Sequence, residues 1–424
     1  MAAVCLIVGQ VIGIGIFLTP ADMARQLGAP GLTYAMWLLA GFMALSGGLC
    51  YGELASRFPE AGGAYVYLRE AWGEMPAFLY GWKCLLVMDP GLTAALAAGL
   101  ADYVAFLVPL GPTGRKGVAL AVVLAIAALS MLGTRIAAGA LVGVTALKLG
   151  ILALVVVWAF ASGRVEPARI LPSFARDPAS PPLLAALAGG FVAAFFSFGG
   201  WWEAGRMAGE VRDPQRTLPR VFVAGIAIVT ATYILTSMAF MGAIPAGETG
   251  SADAFAARLG EVLFGAFGGR LLAVGVVVSV LGSLTAVMLG APRVYVALAS
   301  DGLFPRRLAR LHPRLGTPVA AIALQAVLAC LLIAVGTFSD IVAYFIFITV
   351  AFIAASVAGL YRLPPPASGY RTPLRRVTPA VFIALCALLL VMLLAGRPVQ
   401  ALLGLAVVAA GIPVYRGLRS RAGS

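Results

Sequence analysis

The sequence predicts an all-helical integral membrane protein, and three observations carry the prediction. Of 424 residues, 62% are hydrophobic and 11% charged, against about 45–50% and about 25% in soluble globular domains. Mean hydropathy is +1.00. The apolar residues gather into windows close to the ~20 residues that cross a bilayer, and none alternates in the manner of an outer-membrane barrel strand. A secreted domain, a nucleic-acid binder and an ordinary cytosolic enzyme are excluded by this composition.

The windows fall at about 2–26, 32–56, 76–108, 117–134, 136–162, 183–205, 218–243, 270–299, 317–336, 339–362, 376–396 and 398–415. The first begins at Met1 without a basic leader and is followed by further spans, so it reads as a retained helix. The third and eighth are long enough to require tilt or extension beyond the hydrocarbon. The net charge of +13 is explained by placement. With the N-terminus inside, inner loops hold about twice as many Lys and Arg as outer ones, the densest being Arg306, Arg307, Arg310 and Arg314. Both termini are expected in the cytoplasm of a multi-pass cell (inner) membrane protein, and no nucleic-acid partner is needed to account for the charge. Cys5, Cys50, Cys84, Cys330 and Cys386 stand singly in apolar runs, a pattern of neither disulfide framework nor metal site.

Spans 1 and 6 are interrupted. The first reads Gly9-Gln10-Val11-Ile12-Gly13-Ile14-Gly15-Ile16-Phe17 and the second Phe195-Phe196-Ser197-Phe198-Gly199-Gly200-Trp201-Trp202. Paired glycines can serve close helix packing. Their occurrence in the first and sixth spans also fits two copies of one unit, and matching interrupted helices point to a secondary transporter's binding site. Residues 1–162 are then the first repeat (spans 1–5), 183–362 the second (spans 6–10), and 376–415 two added helices. A break frees N–H groups near Ile14, Gly15 and Ile16 at the positive end of a half-helix, where a carboxylate is favoured. It frees carbonyls around Phe196, Ser197 and Phe198 for an ammonium. Such a main chain would select a zwitterionic α-amino acid.

Few charges lie within the spans. Lys148, at the middle of span 5, is about 12 residues from either end, roughly 18 Å at 1.5 Å per residue, too far for its stem to reach water. It is expected to face the bundle interior, against carbonyls or a hydroxyl. Lys83 and Asp89 are six apart, off one another's helical face, and Asp89 before Pro90-Gly91 reads equally as a kink element or a substrate contact. Asp102 is placed near the outer interface, Glu203 beside Arg206 at i+3, and His312 in a solvated loop. No nucleophile–base–orienter set or metal-ligand spacing occurs, so neither an enzyme nor a cofactor is expected.

The stretch Gly13-Ile14-Gly15-Ile16-Phe17, with Tyr51-Gly52-Glu53-Leu54-Ala55-Ser56-Arg57-Phe58-Pro59-Glu60-Ala61-Gly62-Gly63, resembles the amino acid–polyamine–organocation superfamily. Phe198-Gly199-Gly200-Trp201, Glu210, Asp213-Pro214, Leu218-Pro219-Arg220, Asp301-Gly302-Leu303-Phe304-Pro305, His312-Pro313 and Thr317-Pro318 are similar to its L-type amino acid transporter branch. The resemblance implies a LeuT-like five-plus-five inverted repeat of about twelve helices with helices 1 and 6 broken. It implies a substrate site formed by Val11, Ile12, Gly13, Ile14, Gly15, Ile16, Phe196, Ser197, Phe198, Gly199 and Gly200, with Phe196 as an aromatic gate. It further implies that the Lys148 ammonium, near Ser283, replaces a sodium ion. Ile14 departs from the serine that many members carry there, removing one hydroxyl contact to a carboxylate.

The expected activity is sodium-independent permeation or exchange of L-α-amino acids, neutral ones first because Phe196 and Phe198 suggest an apolar lining. A cationic amino acid or polyamine carrier and a non-transporting amino acid sensor are the alternatives. Lipid and a small-molecule substrate are the expected partners. A glycoprotein subunit is not, since no outer-loop cysteine is available to link one.

Overall fold

A computed structural model describes residues 8–9, 11–59, 62–132, 135–203, 213–244, 254–336, 338–366 and 369–422. The described residues form helices and connecting turns, with no strand among them. The helices are α1 (Gly15–Leu27), α2 (Pro30–Arg57), α3 (Ala64–Trp72), α4 (Glu74–Lys83), α5 (Asp89–Leu107), α6 (Pro112–Leu132), α7 (Arg135–Ala161) and α8 (Pro167–Ile170). They continue as α9 (Leu183–Phe198), α10 (Pro214–Ala243), α11 (Phe255–Gly290), α12 (Pro292–Ser300), α13 (Val319–Val335), α14 (Phe338–Ala358), α15 (Val377–Gly396) and α16 (Pro398–Ala422). Nine stretches among the described residues are long and apolar enough to cross a membrane. Two shorter apolar helices, Val319–Val335 and Phe345–Tyr361, and the broken first stretch match the remaining windows.

The long windows have local solutions. The third is one helical rod, α4 to α5, that widens into a π-turn over Cys84–Met88, inserting a residue without ending the helix. The region of the eighth begins earlier than its apolar run. A helical segment from Phe255 doubles back at Gly265, whose φ of 73° is non-helical; there a side chain would be strained. Two short helices, α3 and α8, are absent from the apolar pattern because each lies in a connection with mixed polarity. In α3, Tyr65 donates to Asp301 Oδ2 at 2.5 Å and Arg69 reaches the same oxygen at 3.5 Å, tying this helix to the end of α12. Burial and the Asp301 hydrogen bond push the Tyr65 phenol above its ordinary pKa, so it stays a donor at neutral pH.

Small residues set how closely the helices approach. Along α2, a β-carbon at Gly41 would come within 2.6 Å of Thr230 Oγ1, and one at Gly48 within 2.7 Å of Ile226 Cδ1, so α2 and α10 meet with almost no space between backbones. On another face of α2, Gly47 lies under Trp201 and Phe382 of α15. Gly190 of α9 abuts Leu27, while Gly15 abuts Ser197, so α1 and α9 run antiparallel in direct contact. On the far side, α16 packs on α4, where Trp82 Nε1 donates to Val407 O at 2.8 Å.

Asp102 pairs with Arg115 at 3.0 Å, both partly exposed. His312 is an exposed loop residue whose Nδ1 accepts the N–H groups of Arg314 and Leu315 at 3.3 Å. Cys50, Cys84 and Cys386 are buried. Cys5, Arg206, Glu210 and Arg212 lie outside the described residues.

A leucine at Gly41 is expected to destabilise the protein by about 1–3 kcal/mol, the usual cost of overpacking, read as a lowered melting temperature in detergent. Gly150→Ala, where a β-carbon meets nothing within 4 Å, should leave that temperature unchanged or slightly raised.

Candidate substrate site

The two breaks face each other. In the first, helical bonding ends with Ile12 N–H on Val8 O at 2.9 Å and Gly13 N–H on Val11 O at 2.8 Å. It resumes where Phe17 N–H closes on Ile14 O at 3.0 Å. As the first two residues of α1, Gly15 and Ile16 have no intrahelical acceptor for their N–H groups. In the second, α9 ends at Phe198, Gly199 N–H turns back to Phe196 O at 3.0 Å, and Gly200 takes φ 105°. Only glycine adopts that conformation without strain. A single helical turn, Trp201–Glu203, follows.

Three sets of hydrogen bonds hold the breaks, the first tying one break to α11 and the other two linking the breaks to each other. Lys148 of α7 is about 1% exposed, and its Nζ donates to Gly9 O at 2.8 Å, Ile12 O at 2.8 Å and Ser283 Oγ of α11 at 3.2 Å. All three ammonium donors are thereby used. Tyr233 of α10 lies with its hydroxyl 2.7 Å from Ser197 O and 3.1 Å from Val11 O, donating between the two breaks. The Thr19 and Ser197 hydroxyls are 2.7 Å apart, beside the point where Gly15 leaves no room for a side chain.

Between these elements is a cavity of about 90 Å³, well below the ~300–1,000 Å³ of drug-sized sites and on the scale of a compact metabolite. Val11, Gly13, Ile14 and Gly15 line it from the first break, and Phe196, Ser197, Gly199 and Gly200 from the second. Ser283 contributes from α11. Ile12 and Ile16 are fully buried in the surrounding core and do not line it. Phe198 does not line it either. Its ring packs on Trp37 and Tyr233, at centroid distances of 6.2 and 5.2 Å, because its position on α9 turns it toward α2 and α10. The apolar lining expected from Phe198 comes instead from Leu92, Leu96, Phe195, Phe345 and Ile346. Phe196 is half-buried and sits 6.3 Å from the Phe345 ring across the cavity. The Phe196 and Ser197 carbonyls each already accept one hydrogen bond, so each offers an ammonium its second lone pair.

Asp89, Glu203, Arg293 and Thr349 add polarity to the same cavity. Asp89 is 1% exposed and accepts the Tyr295 hydroxyl at 2.7 Å. Lys83 does not line the cavity; its Nζ lies 2.8 Å from Met88 Sδ and 4.6 Å over the Tyr80 ring. The Thr349 hydroxyl is buried with no hydrogen-bond partner among the described residues. Thr349, Tyr233 and Thr19 were not singled out by the sequence, where each is one polar residue in an apolar run. The signal that could have found them is their position on the faces of spans 10, 7 and 1 turned to the breaks. Among the described residues, no three His, Cys, Asp or Glu side chains gather as a metal site.

Residues 1–412 match the amino acid permease family, and the chain belongs to that family; it is a multi-pass membrane transporter family rather than a family of enzymes. The serine/threonine exchanger SteT of Bacillus subtilis is 29% identical over 100% of this chain and 96% of its own length. The large neutral amino acids transporter small subunit 2 of Homo sapiens is 29% identical, covering 98% of this chain and 79% of its own. The Asc-type amino acid transporter 1 of Mus musculus shows the same identity and coverage.

Lys148→Ala removes three hydrogen bonds and leaves buried carbonyls unpaired. At about 1.5–3 kcal/mol of stability per charged hydrogen bond this loosens the first break, and substrate binding, measured by isothermal titration on protein that still elutes as a monodisperse peak, should weaken as a consequence. Gly15→Ala forces a methyl to within 2.7 Å of Ser197 Cα and should abolish binding, whereas Ser283→Ala should cost only a few-fold.

Proposed function

We propose that this protein is a sodium-independent secondary transporter of neutral L-α-amino acids, an exchanger or permease working by alternating access. The observation that carries the reading is the three-way bond of Lys148 to Gly9 O, Ile12 O and Ser283 Oγ. Carbonyls exposed by a helix break attract a cation; here a cation is covalently built in, and a sodium ion added beside it would meet like charge. The substrate carboxylate sits at the N-terminus of α1, on the N–H groups of Gly15 and Ile16, and its ammonium on the Phe196 and Ser197 carbonyls. Phe196 closes over it, and the side chain points toward Phe345 and Ile346.

Residues 1–162 and 183–362 act as two inverted repeats, each contributing one broken helix, with 376–415 as an added pair. The protein resides in the cell membrane with both termini in the cytoplasm, as the distribution of arginines supports. Relatives named as carriers of serine and threonine or of large neutral amino acids favour neutral substrates. The human relative is named a small subunit; this chain works without a disulfide-linked subunit, since its described cysteines are within helices. A second reading, a cationic amino acid or polyamine carrier, is favoured by the Asp89 carboxylate on the cavity wall.

Purified protein in liposomes should take up neutral amino acids saturably and at the same rate when choline replaces sodium, faster when the lumen holds unlabelled amino acid. Uptake that collapses without sodium would overturn the reading of Lys148. Lysine or putrescine outcompeting all neutral amino acids would select the cationic carrier, and tight binding without flux would identify a sensor.

A further inference from the structure

Away from the breaks, a second cleft opens where α2 and α10 meet the segment 369–373. Gly52 brings α2 so close that a β-carbon there would lie 3.1 Å from Pro219 Cα and 3.4 Å from the Tyr370 ring. Arg216 and Arg220, one turn apart on α10 and both exposed, line its polar end with Tyr370. The same stripe of α10 continues as Val223, Ala224 and Ala227, with Leu49 opposite on α2. A basic pair thus passes directly into an apolar groove on the side of the bundle.

Charge and hydrogen bonding both leave the polar end open to an anion. Among the described residues neither arginine has an ion-pair partner, and the cleft's own carboxylate, Asp213, offsets one of two positive charges. The Tyr370 hydroxyl is buried and has no hydrogen-bond partner among the described residues. Burial, with Cys50 and Glu53 nearby, raises its pKa to about 12, so it remains a donor. A soluble phosphate would use the arginines and leave the groove unfilled. A phospholipid uses both, because its phosphate is joined to chains that need an apolar wall. Basic pockets between membrane helices on the cytoplasmic side commonly hold such headgroups, and the arginine count puts this end in the cytoplasm.

We propose that this cleft binds an anionic phospholipid of the adjacent leaflet, its phosphate on Arg216, Arg220 and the Tyr370 hydroxyl and one acyl chain along Val223, Ala224 and Ala227. The site is separate from the substrate cavity and independent of which amino acid is carried.

The test is lipid retention by native mass spectrometry on full-length protein offered equal amounts of phosphatidylglycerol and phosphatidylcholine. Each arginine near a charged headgroup is worth about fivefold in affinity and Asp213 offsets one of the two, so the wild type should prefer phosphatidylglycerol by about fivefold. Arg216→Gln with Arg220→Gln should bring the two lipids to parity, and Arg220→Lys should keep most of the preference. Val223→Asn, which spoils the groove and adds no charge beside the arginines, should lower retention of both lipids several-fold and keeps the test open if the double variant does not fold. Arg306→Gln with Arg307→Gln removes the same charge from another loop and should change nothing. Parity in the wild type, an unchanged preference in the Arg216/Arg220 variant, or an equal loss in the Arg306/Arg307 control would overturn the proposal. So would stabilisation by millimolar inorganic phosphate equal to that by phosphatidylglycerol.

Discussion

The architecture around the cavity depends on one buried ammonium. Helix breaks in a membrane leave carbonyls that water cannot reach, and each unsatisfied polar group there costs several kcal/mol. Lys148 answers that cost at the first break with two carbonyl bonds of 2.8 Å and anchors itself to Ser283. The same contacts solve the lysine's own problem, since a charge at mid-membrane is tolerated only when it faces the interior with partners. The broken helix and the buried charge are therefore each other's reason for being stable. Three helices that are distant in sequence, the first, fifth and eighth spans, are held together at that point.

Around this centre the bundle is assembled by subtraction of side chains. Where α1 meets α9 and α2 meets α10, glycines occupy the contact line, and lipid gives no hydrophobic drive to compensate for a looser fit. The aromatic residues fill the wedges that remain: Trp37, Phe198 and Tyr233 form one cluster behind the second break, and Tyr51, Trp201 and Phe382 another. Phe198 belongs to the wall that keeps the break in place, while Phe196, two residues before it, lines the cavity. Positions two apart on one helix, about 200° around its axis, put one ring in the packing and the other on the cavity wall.

Much of this was legible in the sequence because its strongest signals are local. Apolar windows mark the spans, glycine pairs mark the breaks, and the depth of Lys148 could be counted along the chain. The two carbonyls and the hydroxyl that receive it could only be placed once the helices were packed. The cavity wall was less legible. Asp89 drew notice as a charge, but Thr349 and Tyr233 are single polar residues in apolar runs, and which face they present depends on helix rotation. The π-turn at Cys84–Met88 has no sequence marker beyond Pro90 just after it. The reversal at Gly265 and the short helices α3 and α8 sit where composition is mixed, so periodicity could not separate helix from loop.

The Tyr233 hydroxyl, which has one proton and two carbonyls within reach, has a mechanical consequence. Val11 O and Ser197 O belong to different broken helices. Any displacement of one helix against the other passes the proton wholly to one side. The exchange gives up at most one neutral hydrogen bond, about 0.5–1.5 kcal/mol net, only one to three times the thermal energy. Such a tether registers the two breaks against each other at rest yet yields on the timescale of ordinary helix motion. It works as a detent and not as a lock.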